Sequence, residues 1–408
     1  MSNYCDLLLK TYNANILDTT EYSIRKIFLN ISIISDKIKQ QKGNQTLLKL
    51  LTNYRLRREQ SLRTEPKYIQ GPNTLSLHWN NKYQMTIYIF GEYHHHDGPS
   101  CKNLLDTKTD KEQISIKKSI INIEDFLYNL SQKTPAFIDF YIETPSFIPN
   151  GSHKKENYNS NILNIYNSLF ECTRTYSRHD KLCNLIRLHY VDIRQGEKSV
   201  NDLSYLINTL YHNMVQLKLL QSDKHVTNII TKLSTTNTIE YYSYIESQLD
   251  SQVAKKELEK SFLKKEIKQF CIKRIRKFAG EYKKYLQENI LTLFSSKKVD
   301  LGQILLALIT INSVVMDMYT LSRIFKRFDI TRPKSIGSKP NYQPEIPHNI
   351  VIYTGSNHSL CYREFLKYIG TKEISTTKIQ NDDSHNTCLD LSDFPMPFFN
   401  SFPPVGKK

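Results

Sequence analysis

Two histidines close the same short pattern, Gly-x-x-His, in distant parts of the chain: Gly91-Glu92-Tyr93-His94 and Gly355-Ser356-Asn357-His358. Imidazole is the side chain best suited to moving a proton near neutral pH, and its neutral form also ligates metals. Two further apolar runs end in polar residues, one in Glu143 and the other in Asp192 and Arg194. Together with Glu92 this supplies imidazoles, carboxylates and a guanidinium, a set that supports two chemistries. In the first, His94, Glu143, Asp192 and His358 hold a divalent metal (Mn, Fe or Zn) with one position left for water, whose pKa the ion lowers. In the second, one His acts as base on water, a neighbouring Glu holds its tautomer, and Arg194 faces the developing oxyanion. Both routes end in hydrolysis of a peptide or ester bond.

Such groups work together only if the chain folds them to one place. Residues 85–90 and 350–354 are apolar, β-branched or aromatic and stop at Gly, which reads as strand followed by turn. Residues 75–79 and 83–90 flank a turn at 80–82 and predict a hairpin or two adjacent strands, and residues 136–142 and 185–191 predict further strands. Helices are expected over 16–39 and 46–65, over 122–132 after a polar loop, and over 162–178. Residues 198–330 read as almost continuous helix, and within them 253–286 keeps an apolar stripe from Leu258 to Phe278 at helical spacing. The pattern predicts an α/β fold: a mainly parallel sheet with flanking helices, and a large helical insertion between the strand before Asp192 and the last strand, or a cap over the carboxyl edge. The corresponding divisions are an N-terminal helical region 1–70, a first part of the core 71–197, the insertion 198–340, the last part of the core 341–373, and an irregular tail 374–408. In a parallel sheet all the polar strand ends share the carboxyl edge, where ligands bind in such folds.

The 408 residues carry a net charge of +16. That balance suits acidic partners such as nucleic acid, and it also follows from a Lys-rich solvated surface. Lys255 to Lys284 form the densest basic stretch, opposite the apolar stripe. Seven scattered cysteines without a Cys-x-x-Cys pair argue against a disulfide framework and a structural zinc site, and favour a reducing, cytoplasmic compartment. No N-terminal leader pattern is visible, and the apolar stretch 304–319 holds Asn312 and Asp317 and is short for a membrane span. The absence of a Walker A loop, a Gly-x-Gly-x-x-Gly fingerprint or a Gly-x-Ser-x-Gly elbow removes support for nucleotide-binding and serine-hydrolase readings.

The early Gly-Glu-x-His, the strand-end Glu143 and Arg194, and the late Gly-x-x-His resemble, in that order, the ChaN/TraB/TIKI and erythromycin-esterase superfamily. The resemblance covers about residues 75–196 and 348–370. It implies an α/β fold with helical elaboration and a pocket lined by Glu92, His94, Glu143, Arg194 and His358. TIKI-type members imply divalent-metal-dependent proteolysis, esterase members His-based hydrolysis of a macrolactone, and ChaN-type members haem binding. The Gly-Glu-Tyr-His-His-His form and the Asn-, Lys- and Ile-rich composition also resemble uncharacterised proteins of large DNA viruses, which implies an infected host cell or a virion. The contrasting expectation is a basic interaction protein that keeps the fold without activity, or a haem- or nucleic-acid-binding module.

Overall fold

The computed structural model describes residues 66–93, 101, 109–133, 137–144, 162, 165, 186–194, 201–212, 223–294, 300–329, 344–378, 387–396 and 398–399. The helices expected over 16–39 and 46–65, most of that over 162–178, and His94 with its neighbours His95 and His96 lie outside these residues.

The hairpin forms as expected, from β2 (Thr74–Asn80) and β3 (Met85–Glu92). Its turn places Gln84 at a φ of 55°, in the left-handed region. The apolar run before Glu143 becomes β5 (Ile138–Ile142), the run before Asp192 becomes β6 (Ile186–Tyr190), and the last run becomes β7 (Asn349–Gly355). With β8 (Lys372–Lys378) they form a six-stranded sheet of order β6-β5-β7-β3-β2-β8. The β6-β5-β7-β3 portion is parallel, and β2 runs antiparallel to both its neighbours. The chain is thus a mixed α/β protein with a mostly parallel main sheet. A smaller sheet, β4-β1-β9, joins β1 (Tyr68–Gln70), β4 (Ile120–Asn122) and β9 (Cys388–Asp390).

Successive residues of a strand point to opposite faces, and both faces of the main sheet are apolar. Met85, Ile87, Ile89, Tyr141, Ile350 and Ile352 face a helical layer. That layer consists of α3 (Asp202–His212), α4 (Lys224–Thr235), α5 (Thr238–Ser247), α6 (Gln252–Leu258), α7 (Lys264–Asn289), α8 (Leu301–Ile324) and α9 (Ser356–Tyr368). The alternate residues Tyr88, Phe90, Phe140, Val351 and Tyr353 face α2 (Ile123–Lys133) and an aromatic group of Phe394, Phe398 and Phe399. Phe398 stacks on Tyr88 with ring centroids 3.9 Å apart. Burial of each such side chain contributes roughly 1.5–3 kcal/mol. α8 is long and apolar enough to cross a membrane, yet most of it is buried inside the protein.

Several expectations are corrected. The polar loop before α2 contains a helix, α1 (Asp110–Ser119), started by Thr109, whose backbone N–H and hydroxyl both donate to Glu112. The helical run 253–286 is broken between α6 and α7, where Ser261 Oγ and the Phe262 N–H both donate to the Phe325 carbonyl beyond the end of α8. Those two bonds satisfy the Ser261 hydroxyl and the Phe262 N–H where the helical hydrogen bonding is interrupted. The tail read as irregular from residue 374 supplies most of β8 and all of β9, because both find unpaired strand edges. The described helices α3–α8, which precede β7, pack against the face of the sheet that carries Met85, Ile87, Ile89, Ile350 and Ile352. Finally, Cys101 and Cys388 form a disulfide with Cα atoms 4.9 Å apart, although 287 residues separate them in sequence. Cys271 and Cys361 are buried free thiols.

Candidate active site at the carboxyl edge

Parallel pairing aligns the ends of β3, β7, β5 and β6. Glu92 pairs with Gly355 in register, and Glu143 follows β5, whose Ile142 pairs with Tyr353 on one side and Tyr190 on the other. β7 passes directly into α9 with no intervening loop, so His358 lies in the first turn of that helix. Gly91 explains why the first motif needs its glycine. A Cβ there would lie 2.5 Å from both Ser359 Oγ on α9 and Thr74 Oγ1 on β2. The motif's Gly therefore lets the helix carrying the second motif lie against β3.

The polar groups converge around Glu143. Its Oε2 accepts the Gly355 N–H at 2.7 Å, and its Oε1 accepts Arg194 Nη2 at 2.7 Å. Arg194 Nε and its own backbone N–H both donate to Asp192 Oδ1, at 2.9 and 3.0 Å. Its remaining guanidinium nitrogen, Nη1, lies 3.5 Å from His358 Nε2, and Glu143 Oε1 lies 3.4 Å from the same ring nitrogen. On the other side of the ring, His358 Nδ1 is 2.6 Å from Asp317 Oδ1 of α8. His358, Asp192 and Asp317 are all buried.

Burial disfavours an imidazolium at His358, but the Glu143 and Asp317 carboxylates outweigh both burial and Arg194, and the pKa is raised above the usual histidine value. Burial likewise works against Arg194, and Asp192 and Glu143 hold its charge more firmly than in water. The site therefore contains a fixed guanidinium and an imidazole of raised pKa, whose Nη1 and Nε2 face each other.

Of the residues singled out by sequence, Glu143, Asp192, Arg194 and His358 form this cluster. Glu92 is buried at the neighbouring strand end and accepts the Tyr353 hydroxyl at 2.5 Å. His94 follows one residue after the last described residue of that segment. Asp317 joins the cluster without being among the residues singled out by sequence. Its signal was present in the sequence as an acid interrupting an apolar helix, a placement that requires a partner once buried.

The described donors fit a metal poorly. Arg194 lies between Asp192 and Glu143, so a divalent ion held by those carboxylates would have to displace a guanidinium bonded to both. Among the described residues no group of three or more His, Cys, Asp or Glu is arranged to hold an ion. Haem fits no better at His358, because Nδ1 is bonded to Asp317 and Nε2 is hemmed by Glu143 and Arg194. No family model, curated protein or solved structure matches the chain. The functional reading rests on these residues.

Proposed function

We propose that the chain is a hydrolase of ester or peptide bonds, working at the carboxyl edge of the main sheet without a metal held by the described residues. The observation that carries this reading is the approach of Arg194 Nη1 to His358 Nε2 at 3.5 Å, on a floor made by Glu143 and Asp192. An oxygen of the substrate's acyl group placed against both nitrogens would meet a hydrogen-bond donor fixed by two carboxylates and a group able to transfer a proton. These are the two contributions acyl transfer needs beyond a nucleophilic water. The helices α3–α8 are read as an insertion into the α/β unit that backs this edge.

The test is hydrolysis by the full chain of a panel of fluorogenic esters, lactones and peptides, with the His358→Ala and Arg194→Ala variants alongside. The expected result is cleavage of at least one class by the wild type, and a loss of about 10²-fold or more in kcat/KM in either variant. Rates unchanged in both variants, or no cleavage by the wild type across the panel, would contradict the reading.

A further inference from the structure

We infer that Asp317, contributed by α8 of the helical layer, is the positioning residue of His358: it fixes Nδ1 as the protonated ring nitrogen and turns Nε2 toward Arg194 and Glu143. The inference rests on the proposed hydrolytic role of His358 but assigns a residue from outside both Gly-x-x-His motifs. A carboxylate only accepts hydrogen bonds, so at 2.6 Å from Asp317 Oδ1 the Nδ1 atom must carry the proton. In the neutral ring the lone pair then belongs to Nε2, which faces the Arg194 guanidinium.

The surroundings of Asp317 argue that the acid is there for this purpose. It is 1% exposed on a helix whose other buried residues are nearly all uncharged. A carboxylate in such a place is costly unless it is paired. Its second oxygen is 3.8 Å from Arg274 Nε on α7, and Arg274 also donates to Glu364 on α9 at 2.6 Å. The thiols of Cys271 and Cys361 complete the surroundings; Asp317 acts on both, and burial together with its charge pushes each thiol's pKa well up, so they stay neutral beside it. Three helices thus deliver one acid to one ring nitrogen. Tyr362, one turn further along α9, has its ring centroid 6.4 Å from that of the imidazole, with the planes at 25°.

The test uses the full chain labelled with ¹⁵N-histidine, with the His358 signals assigned by their loss in His358→Gln. At a pH high enough for the ring to be neutral, the wild type should show the Nδ1–H tautomer; a neutral ring protonated at Nε2 would overturn the inference whatever the variants do. Asp317→Asn keeps the shape and can present an amide N–H to Nδ1. It should shift His358 toward the other tautomer and lower kcat by up to about 10⁴-fold, the order seen where an orienting Asp becomes Asn, with KM little changed. Asp317→Glu should retain the wild-type tautomer and recover part of the rate. An unchanged tautomer in Asp317→Asn, or a loss confined to KM, would also overturn it. If the wild type cleaves nothing, the proposed function fails while the nitrogen spectrum still decides the role of Asp317.

Discussion

His358 and His189 are both buried imidazoles bonded to an aspartate, and their pKa values move in opposite directions. At His358 the second neighbour of opposite charge is Glu143, and with Asp317 it raises the ring's pKa despite burial and Arg194. At His189, Nε2 lies 2.8 Å from Asp139 Oδ1 while Arg323 Nη2 donates to Nδ1 at 2.9 Å. A guanidinium has no lone pair to offer, so His189 must accept at Nδ1 and stay neutral. Burial is the main cause, and the pKa falls to about 3. His78, buried beside β8, is lowered to about 3 as well, again chiefly by burial. Both rings are neutral in the fold while the unfolded chain binds protons below about 6.5. Stability from these groups is therefore complete above pH 6.5 and is lost as pH falls toward 3. Urea unfolding between pH 6.5 and 5, above the carboxylate range, should show a falling midpoint, with a shallower fall in His189→Gln. An identical slope in the variant would contradict the assignment. Such pairings were illegible in the sequence, since Asp139, Arg187 and His189 look like polar interruptions of strands until β5 and β6 align them in register.

At the scale of elements, one helix serves two polar clusters. α8 carries Asp317 to the carboxyl edge and Arg323 to His189, and Arg323 also lies 3.4 Å from Glu257 of α6, which in turn bonds Lys326. The strands were legible because β-branched and aromatic runs ending at Gly admit few other readings. The boundaries of the helical layer were not, because the α6–α7 break is made by bonds to Phe325, 64 residues beyond Ser261. β8 and the short β9 carry little apolar pattern and pair with edges that the sheets offer them. β3 and α9 approach closely at Gly91, where a Cβ would lie 2.5 Å from Ser359 Oγ. Gly91→Ala should cost about 1–3 kcal/mol by overpacking, and trimming Ser359 to Ala in the same chain should recover part. Chemical denaturation reads both, and a Gly91→Ala chain as stable as wild type would contradict the close approach.

Across the whole molecule, the net charge of +16 is spread over a surface where much of the basic stretch is already paired. On α7, Lys264 pairs with Glu259, Arg276 with Glu246, Lys277 with Glu281 and Lys284 with Glu288. These exposed pairs contribute little to stability, and they leave the basic face less of a bare cation stripe than its sequence suggests. The disulfide matters more. Cys101–Cys388 ties the segment after β3 to the small sheet, which the cysteine spacing alone could not show because disulfide connectivity is set by the fold. Cys388→Ser, or reduction of the wild type, should lower stability by about 2–4 kcal/mol, read by urea unfolding with and without a thiol reductant. Equal midpoints under both conditions would contradict a bonded pair. Its oxidation state in cells would test the cytoplasmic location proposed from sequence, since such bonds persist mainly in oxidising compartments.

The central claim is that Arg194 and His358, 164 residues apart, act on one substrate atom. A double-mutant cycle on the cleaved substrate tests it most directly, by measuring kcat/KM for Arg194→Ala, His358→Ala and the double variant. Groups acting as a unit lose their effect together, so the account predicts a double variant about as slow as the slower single variant. Losses that multiply would mean two independent contributions and would contradict a shared site.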